Sequence, residues 1–468
     1  MFYALNSDTY VRNYENITIV TRPAIEKEKV VDEIGGMFLQ QLSYEYTSTD
    51  EILDGLLKEF NVDRETLLYD VIEFYEKLVA DGYIIRGGST QKLSAKERLG
   101  HDASFNYKNN LVASKDSIAF LNKYFLDSPH LLNFQIELTD KCNERCVHCY
   151  IPHEYKKNEL RKDDVLDIID QCRDMNVLTI SFSGGEPMLH PFCSDFIRYA
   201  KDYDINVTIF SNLTMLSDSI LEALKYKHPS VVRVSLYSMN PDTHDSITLL
   251  SGSFEKTTKN IIKLVQNGIT VIINCPILQQ NKHEFDAVIQ WGNEHGCKVV
   301  TDYMIMAKSD GNTENLNCRI DSSDMTAVLS KLLDYNLKQN SSILKYEKAI
   351  KNLSDERVCG VGITTLSLSA TGKVFPCAGW SNCVCGDIKK ETLKDIWNKS
   401  GKIKFLRSIR MKDFEKCNNC EDYDFCSLCL ARNSNEDPNG DIFNISPITC
   451  DAAKTYHLLV IQHQDKKG

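Results

Sequence analysis

Three cysteines stand within eight residues, "CNERCVHC" (142–149), as Cys142, Cys146 and Cys149 in a CxxxCxxC spacing. Three thiolates in one loop suit an iron–sulfur cube, which needs one thiolate per iron, and the fourth iron is then left open to a small molecule. Zinc is the alternative, but a closed zinc site wants a fourth nearby Cys or His. His148 is too close in sequence to its neighbours to share that geometry easily. A second stretch, "SGGEP" (183–187), has two glycines that let the backbone approach a ligand closely. Its Glu186 adds an anion that could accept from an ammonium group. A third array runs from Cys359 through Gly372 to Cys377, continues in "CNNCEDYDFCSLC" with Cys417, Cys420, Cys426 and Cys429, and closes at Cys450. Two zinc knuckles would be the plain reading of that array.

These loops need a scaffold that brings them together. The runs "LNFQIEL" (132–138), "LTISFSG" (178–184), "NVTIF" (206–210), "VVRVSL" (231–236), "ITVIINC" (269–275) and "KVVTDYMI" (298–305) alternate with helical patterns. Such alternation implies an α/β fold, a parallel sheet curled into a partial (β/α)6 TIM-like barrel over 131–320. Active sites in such folds lie at the C-terminal ends of the strands. CxxxCxxC follows the first run and SGGEP the second, so both are expected over one mouth.

Residues 1–95 read as strand, three helices, strand: "NITIVTRP" and the stretch before it, helices at 35–46, 48–60 and 63–83, and a closing "YIIRGG" (83–88). Ser48 with Glu51 and Asp63 with Thr66 mark two helix starts. This is the outline of a small winged-helix domain. DNA binding would set Glu65, Asp70, Glu73 and Glu76 of the third helix against phosphate, which argues against it. An outer strand near "NITIVTRP" would instead offer its open edge to an extended peptide. The third helix supplies Leu67, Leu68, Val71, Phe74 and Leu78 for pockets or for the domain's own core. Residues 96–130 read as linker and a bridging helix at about 114–127, residues 321–354 as a helical connector, and 355–468 as a cysteine-dense segment organised by metal rather than by a large core.

The net charge of −11 leaves no excess of Lys and Arg to track a nucleic acid. No apolar run is long enough to span a bilayer, and the first residues lack the pattern of a signal peptide, so a cytoplasmic protein is expected. Thiols stay reduced there, and the 17 cysteines read first as metal ligands. Cys172, Cys193, Cys275, Cys297 and Cys318 fall outside the arrays and read as buried thiols.

CxxxCxxC after the first strand, followed by GGEP after the second, closely resembles the radical SAM superfamily. That resemblance implies a [4Fe–4S] cluster on Cys142, Cys146 and Cys149, its open iron filled by the amino and carboxylate groups of S-adenosyl-L-methionine. It implies His148 and Tyr150 near the adenine, and Gly184, Gly185 and Glu186 at the methionine amine. Ser211, Asn212 and Ser235 match positions that contact the ribose or carboxylate, although ordinary strand-end polar residues would look the same. Where many relatives carry an arginine, this chain has Thr248. The implied chemistry is reductive cleavage of the sulfonium to methionine and a 5′-deoxyadenosyl radical, which abstracts hydrogen from an unactivated carbon.

The third array resembles the SPASM extension of these enzymes, which implies two auxiliary [4Fe–4S] clusters and three clusters in all. The resemblance assigns Cys359, Cys377 and Cys429 to one, and Cys417, Cys420, Cys426 and Cys450 to the other. The last pair, Cys426 and Cys429, is one residue closer than usual. The first set is one ligand short. Either Cys383 or Cys385 completes it, or its iron is open to a substrate thiolate. Residues 33–84 resemble a PqqD-like RiPP recognition element. Together these imply a peptide maturase of the sactisynthase or ranthipeptide type, acting on a precursor peptide with a leader and drawing electrons from a donor such as flavodoxin or ferredoxin. An intrapeptide thioether is the first expectation and a carbon–carbon link the second. The alternatives are oxidation of a protein residue, as in anaerobic sulfatase maturation, and an iron–sulfur winged-helix regulator.

Overall fold

The computed structural model describes residues 1–87, 124–125, 128–339, 355, 357–380 and 382–465. The linker expected at 87–110 and most of the bridging helix fall outside them. Of that helix Tyr124 and Phe125 are helical, and Phe125 is fully buried.

The N-terminal part holds two small antiparallel sheets around three helices. β1 (Phe2–Leu5) is flanked by β5 (Thr47–Ser48) and β6 (Ile84–Gly87). β2 (Tyr10–Tyr14), β3 (Ile17–Arg22) and β4 (Lys27–Asp32) form a meander. β3 is "ITIVTR" and pairs on both sides, with β2 and with β4, so the stretch expected at an outer edge is the centre of its sheet. The first helix, Glu33–Gln40, is shorter than the expected 35–46. The second, Thr49–Leu56, starts on a Ser48–Glu51 capping box, and the third, Arg64–Ala80, on Asp63 accepting from the Thr66 amide. Leu67, Val71, Tyr75 and Leu78 of the third helix face a core with Tyr3, Phe38 and Leu56, while Leu68 and Phe74 pack at its margin.

Six parallel strands follow: β7 (Asn133–Thr139), β8 (Thr179–Gly184), β9 (Asn206–Ser211), β10 (Val231–Ser235), β11 (Thr270–Pro276) and β12 (Lys298–Asp302). They neighbour one another in sequence order, with helices between. β12 ends three residues earlier than expected. The side chains that face the helices are apolar and almost fully buried, among them Ile136, Ile180, Phe182, Val207, Ile209, Val232, Val234 and Ile273. The other face carries Gln135, Glu137, Ser181, Ser183, Thr208, Arg233, Ser235 and Asn274, a polar interior that opens at the mouth.

The C-terminal segment continues the barrel's sheet. β13 (Thr365–Leu368) pairs parallel to β7, and β14 (Lys373–Phe375) and β15 (Gly386–Asp387) follow antiparallel, so one nine-stranded sheet runs through both parts. Leu366, Leu368, Val374, Ile396 and Trp397 share the barrel's core. Helix Ser322–Gln339 buries Met325, Val328, Leu329 and Leu333 in that core and lies along the final helix, Pro447–Asp465.

The N-terminal part covers the end of the barrel where the strands begin. Tyr14 Oη donates to the Asn176 carbonyl at 2.9 Å, just before β8. Tyr44 Oη bonds Asp204 at 3.2 Å, just before β9, and His228, just before β10, meets the Ser7 carbonyl at 2.8 Å. Glu26, at a left-handed turn leading into β4, reaches two barrel-lining cations, Arg233 at 3.1 Å and Lys298. The strand ends that carry CxxxCxxC and SGGEP lie about 20 Å away, a strand of six residues at about 3.3 Å each.

Candidate active site

The loop after β7 is held by its neighbours before any ligand is considered. The Arg145 and Val147 amides donate to the carbonyls of Thr248 and Ile247 at 3.0 Å each. Thr248 itself is buried, its hydroxyl 2.7 Å from that of Ser253, so the position where relatives carry an arginine here anchors the loop and presents no group to the mouth. The three thiols of the loop lie close enough that Cys146 feels both Cys142 and Cys149 electrostatically. Burial pushes the Cys142 thiol up to about 11 and raises Cys146 well above its ordinary value too, so neither is a ready thiolate until a cation is bound.

SGGEP packs directly on this loop. A side-chain carbon at Gly184 would stand 2.0 Å from the Thr139 carbonyl oxygen, and one at Gly185 would stand 2.3 Å from that of Lys141. Gly184 also has φ +137°, which L residues rarely adopt. The Gly185 and Glu186 amides donate to those same two carbonyls at 2.8 and 2.9 Å. Glu186 is fully buried. Its Oε1 accepts from the Met188 amide at 3.0 Å and the Ser211 hydroxyl at 2.8 Å, and its Oε2 accepts from the Asn212 amide at 2.8 Å. Asn212 Nδ2 then reaches Asn143 Oδ1 at 3.0 Å and Cys142 Sγ at 3.9 Å. Glu186, Ser211 and Asn212 thus form one buried bracket behind the cysteine loop.

Four groups that sequence reading passed over line the same region. Glu144, inside the cysteine motif, is buried, with Oε2 3.2 Å from Cys146 Sγ and Oε1 without a partner. Glu137 projects from β7 into the barrel and accepts from Tyr150 Oη at 3.0 Å. Burial lifts Glu137, Glu144 and Glu186 each to about 7. Tyr237 Oη lies 3.4 Å from His148 Nε2 and 4.0 Å from Cys146 Sγ, and it is hydrogen-bonded to Ser235. Asn143 is the fourth. Desolvation lowers His148 to about 4, so its ring is neutral, and its Nδ1 has no partner. Strand alternation was the one signal for Glu137. Nothing in the spacing marks Tyr237.

Of the residues expected near the adenine, His148 sits against Tyr237 and the thiols, whereas Tyr150 turns toward Glu137 and the C-terminal segment. A side-chain carbon at Gly379 would lie 3.3 Å from the Tyr150 ring, and Tyr150 interacts electrostatically with both Cys149 and Cys377.

The cysteines of the C-terminal segment gather in two groups. Cys417, Cys420, Cys426 and Cys450 feel one another's charge. Cys377 feels Cys429, Cys359 and Cys383. Cys172, Cys193, Cys275, Cys297 and Cys318 are buried outside both groups. Among the described residues, no three His, Cys, Asp or Glu side chains converge as one metal ion's shell would require. The donor set is nonetheless all thiol, with a glycine cradle that no side chain could enter and orphaned acceptors at Glu144 and His148. These features fit a cluster with a small polar ligand.

Comparison with known proteins agrees. Residues 136–292 match the radical SAM superfamily, 359–421 match an iron–sulfur cluster-binding domain (SPASM), and 25–84 match coenzyme PQQ synthesis protein D. The chain is 26% identical over 332 residues to the AdoMet-dependent heme synthase of Methanosarcina barkeri, covering 65% of this chain and 92% of that protein. It is 26% identical over 318 residues to the subtilosin biosynthesis protein AlbA of Bacillus subtilis, covering 66% and 69%. The crystal structure of Streptococcus suis SuiB bound to its precursor peptide SuiA superposes with a TM-score of 0.60 at 16% identity, over 96% of this chain and 99% of that one.

Proposed function

We propose that the chain modifies a ribosomally made precursor peptide and installs an intrapeptide crosslink, since its segments match the radical SAM superfamily, the iron–sulfur SPASM domain and a PqqD-like domain. A thioether is the first choice and a carbon–carbon link the second. The observation that carries this reading is the PqqD-like domain, built onto the closed end of the barrel through Tyr14, Tyr44, His228 and Glu26. AlbA and SuiB, whose names tie them to a bacteriocin and a precursor peptide, support the same substrate class.

In this reading Cys142, Cys146 and Cys149 hold the first cluster, and Cys359, Cys377, Cys429 with Cys417, Cys420, Cys426, Cys450 hold two more. When loaded, the site supplies one-electron cleavage of S-adenosylmethionine and hydrogen abstraction by the resulting 5′-deoxyadenosyl radical. The chain's own residues do the rest. Gly184 and Gly185 leave room for the methionine end, the Glu186–Asn212 bracket fixes the cysteine loop, and Ser235 with Tyr237 and His148 lines the mouth. Glu137 is placed to hold or pass a proton beside Tyr150. The protein works in the cytoplasm with a flavodoxin- or ferredoxin-type donor.

The leader adds as a strand to β4. Over 29–32 the outer side of β4 has no strand partner among the described residues, and such an edge pairs readily with an extended chain. The test is turnover of full precursor against the same peptide without its leader, and against a precursor whose leader amides are N-methylated at alternate positions. One methylation register should abolish crosslinking and the other should leave it, while S-adenosylmethionine cleavage without peptide stays constant. Equal turnover of all four peptides sinks the reading.

A further inference from the structure

The first auxiliary group has three assigned cysteines and two more nearby, Cys383 and Cys385. We propose that Cys383 is the fourth thiolate of that cluster and that Cys385 is a core residue. This rests on the reading of the C-terminal segment as a two-cluster module.

The two thiols are hydrogen-bonded to each other and both feel Cys377; two observations separate them, and a third calls for sulfur acceptors beside them. First, they sit in different cores. Cys385 packs in the barrel's core with Val374, Ile396 and Trp397, and its amide donates to the Val374 carbonyl at 2.8 Å, continuing the β14–β15 ladder. Cys383 packs in a second core with Trp380, Leu406, Met411 and Phe414, against which Cys377 and Cys429 are themselves packed. Second, side-chain hydrogen bonds tie the chain beside Cys383 to the helix that follows Cys429. Asn382 Nδ2 donates to Ser434 Oγ at 3.0 Å and Asn435 Nδ2 to the Gly379 carbonyl at 2.7 Å, so the turn that carries Cys383 is tied to helix Leu430–Glu436, which begins right after Cys429. Third, Trp380 is 2% exposed and its indole Nε1 has no partner. A buried indole N–H without an acceptor is costly. A cluster held here would bring sulfurs as weak acceptors that the apolar neighbours cannot supply.

The consequence is a closed auxiliary cluster, unable to bind a substrate thiol at iron.

The experiment uses the full chain with Cys142, Cys146 and Cys149 all changed to alanine, so that the remaining iron is auxiliary. This background is reconstituted anaerobically, reduced, and given 13C-cyanide as a probe of open iron, read by electron–nuclear double resonance. About eight irons per chain are expected for two cubes. The background should show no 13C coupling. Adding Cys383→Ala should either produce the coupling or lose about four irons, and adding Cys385→Ala should do neither. Coupling in the background itself would overturn the proposal, since the iron would already be open. So would Cys383→Ala with full iron and no coupling, a coupling that appears on Cys385→Ala, or equal iron loss from both variants. A background with far fewer than eight irons instead overturns the two-cluster reading beneath it.

Discussion

The Asn212 backbone amide donates to Glu186 Oε2 at 2.8 Å, and Asn212 in turn meets the cysteine loop at Asn143. The glutamate of SGGEP is therefore a brace with its acceptor positions directed at protein donors. Replacing it with Gln turns an NH2 toward a buried N–H. One hydrogen bond is lost and one donor is stranded, at a cost of about 1–3 kcal/mol. E186Q is expected to weaken S-adenosylmethionine binding about tenfold or more, measured by equilibrium dialysis on reconstituted protein. Unchanged affinity would show that the brace is dispensable.

Cys142→Ala removes one of three thiolates available to the first cluster. Methionine and 5′-deoxyadenosine, quantified by chromatography in the presence of strong reductant, should fall to background. Product at the unmutated level would remove this loop from the chemistry.

Glu137 gives the stability a sign with pH. Its folded value, raised by burial to about 7, stands above the ordinary value of about 4.3. Over that window the folded chain keeps a proton that the unfolded chain has lost, so stability is full below about pH 4.3 and declines as pH rises toward 7. The loss is about 4 kcal/mol at most. Melting temperatures taken from pH 5 to 8 should fall more steeply for the unmutated chain than for E137Q. Parallel slopes would mean that Glu137 does not hold the proton.

Glu26 ties the N-terminal part to Arg233 and Lys298, and all three side chains are only partly exposed. E26A should cost about 1 kcal/mol, seen as faster hydrogen exchange at 23–26 and at the start of β10. Cleavage of S-adenosylmethionine without peptide should stay intact. Unaltered exchange would leave the docking to Tyr14 and Tyr44 alone.

The six barrel strands were legible because each is a dense apolar run between turn residues, the signature of a strand packed under helices. β4 was missed: "KEKVVD" interleaves charge with valine, as an edge strand does. β1 is four residues long and finds its partner β6 at the far end of the domain, a pairing no local pattern encodes. The first helix was read too long because the Ser43 carbonyl accepts from the Leu5 amide at 2.8 Å, and that tertiary bond takes backbone the periodicity had assigned to the helix. At the site, the cysteines and glycines announced themselves by spacing. Glu186 was read from its spacing as an acceptor for an ammonium group, and its three protein donors add a bracing role that the spacing did not show. The Glu137–Tyr150 pair joins a strand to a loop 13 positions on, which alternation alone could not foretell.

The location of β4 sets a measure of length. It lies at the end of the barrel where the strands begin, and the thiols lie where they end. A peptide held on β4 climbs the outside of the barrel, about 20 Å, before it can turn into the mouth. At about 3.3 Å per extended residue, that path consumes at least six residues. Residues directly after the anchored segment are out of reach, and those beyond the climb arrive in sequence order. On the proposed leader docking the domain would act as a ruler, choosing the modified residue by its distance from the leader as much as by its chemistry, and inserting residues into the spacer should move the crosslink along the peptide.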